Sequence, residues 1–172
     1  MLYNKKEFEN RLADWEEKLA IHTLPLWEEL PVFELYMDQV VILVNKYLAV
    51  LDNGEERVLT PSMINNYVKQ KTLPPPIKKR YSRVHVAYLI MICILKQSLS
   101  ISMIQKILPI EELGENIADV YMSFIKIQKQ KFSNVTEKIK NMYESEEFSD
   151  RLVMEVAINA NVHKIVAEKF GK

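Results

Sequence analysis

"LTPSMINNYVKQKTLPPPIKKRYSR", residues 59–83, decides how this chain is read. It opens on a helix start: Thr60 is a hydroxyl N-cap and Pro61 takes the first helical position, where its missing N–H costs nothing. On a wheel of about 100° per residue, Met63, Ile64, Tyr67 and Val68 fall on one side. Ser62, Asn65, Asn66, Lys69 and Gln70 fall on the other. One side is therefore expected to be buried, and the other offers only a hydroxyl, amides and an ammonium. The prolines at 74–76 are expected to stop the helix, with "IKKRYS" as a short extended excursion before Ser82 caps the next one.

Working outward, "VHVAYLIMICIL" at 84–95 is the longest apolar run; its twelve residues fall short of the roughly 20 a bilayer span needs. It reads as the buried part of a helix over 83–98. Upstream, "DQVVILVNKYLAVL" predicts a helix over about 38–51, N-capped by Asp38 and ending in the turn "DNGEE". Phe8, Leu12, Trp15 and Leu19 predict an amphipathic helix over 4–20, and "HTLPLWEELP" an irregular arm packing Leu26, Trp27 and Leu30. Downstream, Ser100 is expected to cap a short helix ending before Pro109. Helices follow at about 111–131 and 134–144, and one or two between 148 and 170. With three glycines and abundant Leu, Ile, Lys and Glu, the fold class is mostly α.

Formal charges cancel over the chain but not along it. Residues 1–59 carry six basic and twelve acidic side chains, 60–108 eight basic and none acidic, 109–172 nine and eleven. Such asymmetry points to a polyanion surface, or to a basic segment docked on acidic flanks. Asparagine pairs bidentately with adenine, and the cations of "KKRYSR" suit phosphates beside a groove. Catalysis has little support: His22, His85 and His163 are scattered, and no metal-ligand spacing or phosphate-binding glycine loop is present. His85, in the first turn of a helix beside the basic cluster, reads as a solvated or locally bonded imidazole ahead of a phosphate contact, and Cys93 as inert core. No catalytic residue, metal or cofactor is expected, and the chain is not read as an enzyme. The single cysteine and an N-terminus without an apolar leader lead to a cytoplasmic expectation.

The order helix, turn, helix, basic wing and two more helices, seen in "NYVKQKTLPPP", "KKRY", "VAYLIMICILK" and "SISMIQKIL", resembles the DNA-binding domain of the MerR family. The likeness covers about 50 residues, 59–108, with Tyr67, Leu73, Lys79 and Tyr81 in the register of that family's aromatic, leucine, wing arginine and wing tyrosine. Asn66, Val68 and Thr72 stand where the family has arginine, an aromatic and glycine. The whole chain also resembles the YkrK-type group of bacterial proteins, defined by a domain of unknown function.

The resemblance implies a winged helix-turn-helix core with flanking helices forming a small helical bundle. Its parts are an N-terminal helix and arm (1–36), a helix-turn-helix DNA-binding domain (37–108) and a C-terminal helical dimerisation or effector region (109–172). The expected function is a transcription regulator binding double-stranded DNA, with 111–170 as the candidate homodimerisation or ligand-response segment, no membrane partner and no identified small-molecule effector. Ser62, Asn65, Asn66 and Lys69 would face the groove; Lys78, Lys79, Arg80 and Arg83 would meet phosphates. The alternative is a protein–protein interaction module on the same scaffold without DNA binding.

Overall fold

Residues 85–93 of the apolar run are buried without a break, which is what a helix with apolar residues on every side requires. That helix is the centre around which a computed structural model places the rest of its unit. The structure describes residues 5–21, 24–51, 57–108, 110, 116–144 and 151–171. Among them are seven helices and no strand: α1 (Lys5–Ile21), α2 (Met37–Tyr47), α3 (Pro61–Lys69), α4 (Arg83–Leu95), α5 (Ile101–Ile107), α6 (Ile117–Glu144) and α7 (Arg151–Phe170). The mostly-α class is thus observed. No described helix is long and apolar enough to cross a membrane.

Two compact units emerge. The first, residues 24–125, is built on α4. α2 packs on both α4 and α3, burying Val40, Val41 and Val44 on one stripe. Leu48, Leu59, Ile64, Tyr67 and Leu73 extend the same core. Each fully buried aliphatic side chain contributes about 1.5–3 kcal/mol. Asn45 ties the chain entering α3 back to α2. Its Oδ1 accepts from the Leu59 N–H (3.0 Å), while Nδ2 donates to the Leu59 carbonyl (2.8 Å) and to that of Val41 (2.7 Å). At the far end, the Tyr121 hydroxyl donates to the Pro25 carbonyl at 2.9 Å, and the Trp27 and Tyr121 rings lie 6.1 Å apart. Residues 117–125 of α6 belong to this unit.

The second unit gathers 1–23 with 126–170. Here Trp15 packs on Phe132 at 6.0 Å, Lys140 pairs with Glu16, and Lys138 pairs with Glu155 at 2.5 Å. Val153, Met154, Ile158, Val162 and Phe170 of α7 are exposed.

Several expectations are corrected. α2 is N-capped by Tyr36, whose N–H donates to Gln39 Oε1 at 2.9 Å, so Asp38 lies inside the first turn. α4 ends at Leu95, and the helices expected over 111–131 and 134–144 are one continuous α6 through Ser133 and Asn134. The expected wing has no strands: only the isolated bridges Leu35–Tyr81 and Ile77–Arg80 are present. The turn "DNGEE" (52–56), the helix start at 111–115, residues 148–150 and His22 lie outside the described residues.

Candidate nucleic-acid interface

α3 begins as its sequence dictates. Thr60 Oγ1 accepts from the Met63 N–H at 3.3 Å, with Pro61 in the first turn. Ile64 and Tyr67 are buried, Met63 and Val68 half-buried, and Ser62, Asn65, Asn66, Lys69 and Gln70 exposed. The helix does not run on to the prolines. After Gln70 the chain turns left-handed at Lys71 (φ 56°), the Lys71 N–H donates to the Val68 carbonyl (3.0 Å), and the Thr72 N–H reaches the Tyr67 carbonyl (2.8 Å). This is the double bond pattern of a Schellman C-cap, closed with lysine where glycine is usual. Leu73 then dives into the core.

The basic stretch forms a two-residue hairpin turn. Ile77 and Arg80 exchange both backbone hydrogen bonds, N–H to carbonyl, at 3.2 and 2.8 Å. Lys78 and Lys79 sit between them at φ 49° and 64°. Positive φ at both central positions is the requirement of the type I′ turn, which favours Asn-Gly. A left-handed lysine costs about 1–2 kcal/mol. Tyr81 exchanges backbone hydrogen bonds with Leu35 (2.8 and 2.9 Å), anchoring the turn to the arm before α2. Its ring points inward, 2% exposed, and meets the His85 ring edge-on at 5.4 Å.

His85 fastens both ends of this stretch. The Ser82 N–H donates to Nδ1 (3.0 Å), which fixes the proton on Nε2, and Nε2–H donates to the Pro75 carbonyl (3.3 Å). Ser82 stands at the N-cap of α4, its Oγ 2.9 Å from the same Nδ1. Burial holds the imidazole below its ordinary pKa, against the opposite pull of the Pro75 carbonyl and Glu34, so it is a neutral strut.

The eight residues named from sequence separate into two groups. Ser62, Asn65, Asn66, Lys69, Lys78 and Lys79 are exposed. Arg80 and Arg83 are half-buried and occupied: the Arg80 guanidinium lies 4.0 Å from the Tyr36 ring centre. That of Arg83 lies 5.4 Å from Trp27 and donates to the Leu30 carbonyl at 2.9 Å. Lys71 was not among the eight, because nothing in "KQKTL" reveals a left-handed residue. Among the described residues, no carboxylate pairs with any cation of 69–83; every ion pair lies in the second unit. Nor does any group of three His, Cys, Asp or Glu gather among them to hold a metal. Burial pushes the Cys93 thiol up to about 12, leaving no nucleophile there. Against known proteins, a family model described as a domain of unknown function (DUF1836) matches residues 25–124, and the chain belongs to that family. No curated protein and no solved structure matches it.

Proposed function

We propose that this member of the family binds double-stranded DNA as a transcription regulator of winged helix-turn-helix type. α3 is the groove-reading helix and the turn at 77–80 a minimal wing. One observation carries the reading: an exposed face of Ser62, Asn65, Asn66 and Lys69 on a helix anchored by its opposite side, followed by exposed Lys78 and Lys79, without a carboxylate partner among the described residues. Asn65 and Asn66 have the donor–acceptor pair that reads adenine, and Ser62 serves either a base edge or a phosphate. Arg80 and Arg83 act as supports of the arm rather than as free phosphate ligands, since their guanidinium groups are already engaged.

The exposed apolar side chains of α7 in one unit and, separately, Val32 and Phe33 in the other favour a protein–protein interaction module without DNA binding as the second reading. Fluorescence anisotropy of a labelled duplex across a salt series tests the first. Neutralisation of phosphates by Lys69, Lys78 and Lys79 sets a slope of log affinity against log salt near −3 per protomer. Asn65→Ala and Asn66→Ala are expected to lower preference among sequences without changing that slope. A flat salt dependence, or capture of an acidic protein in place of DNA, overturns the proposal.

A further inference from the structure

Among the described residues, three non-glycine positions have positive φ: Lys71, Lys78 and Lys79. All are lysine, all are exposed, and all fall in nine residues of chain that begin at the end of α3. In each place the backbone asks for glycine or asparagine, which reach the left-handed region at little cost. If the conformation alone mattered, a smaller residue would hold it better. If solubility alone mattered, the charge would sit as well at an unstrained position. What remains is a need for an ammonium at the apex of each turn, where the chain reverses and the side chain leaves freely into solvent.

We infer that Lys71, Lys78 and Lys79 act together as the phosphodiester contacts of a bound duplex, held at a cost in folding stability, with Lys71 closing the C-terminal end of the reading helix. The inference rests on the DNA-binding reading above and adds Lys71 to it. The links between the two turns are fixed at both ends, by the Thr72 and Leu73 N–H groups on the Tyr67 carbonyl and by the Pro75 carbonyl on His85, so the three ammonium groups are presented on ordered backbone.

The test uses the full chain, with Lys71→Gly, the double variant Lys78→Asn/Lys79→Gly, and Lys129→Gln in α6 as a control for bulk charge. Thermal unfolding is measured without DNA, and anisotropy on a short mixed-sequence duplex from ~0.05 to ~0.5 M salt. Lys71→Gly is expected to raise Tm by about 2–4 °C. It should also flatten the salt slope by about 0.9, roughly an eightfold loss at ~0.1 M salt relative to ~1 M. The double variant should move both readouts further in the same directions, and Lys129→Gln neither. A Tm gain with affinity and slope unchanged overturns this inference and leaves DNA binding standing. A Tm that falls in both variants overturns the strain on which it rests. A wild-type chain that binds no duplex at low salt overturns both.

Discussion

Replacement of Asn45 by alanine tests the way α3 is held. The side chain gives one acceptor and two donors to backbone groups, and Leu59, which takes two of those bonds, is fully buried. Truncation therefore removes the bonds and leaves the Leu59 N–H and carbonyl without a partner away from water. Each stranded buried group costs about 1–3 kcal/mol, and relaxation recovers some of that, so a loss of about 2–4 kcal/mol is expected. Against a total stability of about 5–15 kcal/mol this is a large fraction, and it corresponds to about 4–16 °C in Tm. Urea unfolding followed by far-ultraviolet circular dichroism gives the number. Asn45→Asp separates the terms: it keeps the acceptor for the Leu59 N–H but sets a carboxylate oxygen against the Leu59 and Val41 carbonyls where Nδ2 donated, so its loss should equal or exceed that of Asn45→Ala. If Asn45→Ala stays within about 0.5 kcal/mol of wild type, the behaviour of an ordinary surface substitution, the clamp has been misread.

Two further outcomes follow from buried groups. His85 is neutral in the fold with its pKa below the ordinary imidazole value, so the unfolded chain takes up the proton first as pH falls. Stability is then complete above about 6.5 and declines as pH drops below that value toward the folded-state pKa. The His85→Gln variant should lack this component, and equal pH slopes for the two proteins between about pH 7.5 and 5 would dispose of it. Cys93, 2% exposed with its thiol pushed up to about 12, should resist a disulfide reagent in the native state and react only at the rate of unfolding. Rapid labelling of the folded chain would contradict its placement.

What could be read in the residues, and what could not, divides by the range of the interaction. The start of α3 is local, a hydroxyl cap and a proline, and so is the two-sided pattern that buries Ile64 and Tyr67. The apolar run needed no neighbour to declare α4 buried. The end of α3 was placed too late because the prolines are conspicuous, whereas the terminator is a lysine in a conformation lysine rarely takes. The two helices expected over 111–131 and 134–144 are one, since α6 runs on through Phe132, which packs on Trp15 more than a hundred residues earlier in the chain. For Arg80 and Arg83 the charge was plain, yet only the fold brings Tyr36 and Trp27 beneath their guanidinium groups.

The bridge between Leu35 and Tyr81 has a practical corollary for anyone trimming this protein. A fragment begun at α2 would discard one half of that pairing, along with the ring under Arg80 and the carbonyl that receives Arg83. Its cationic tip would then keep the His85 fastening and its own turn bonds but lose its anchor to the arm, and a weak signal from it would report the cut instead of the molecule. The shortest honest probe of the basic face has to keep the stretch from Leu24 onward.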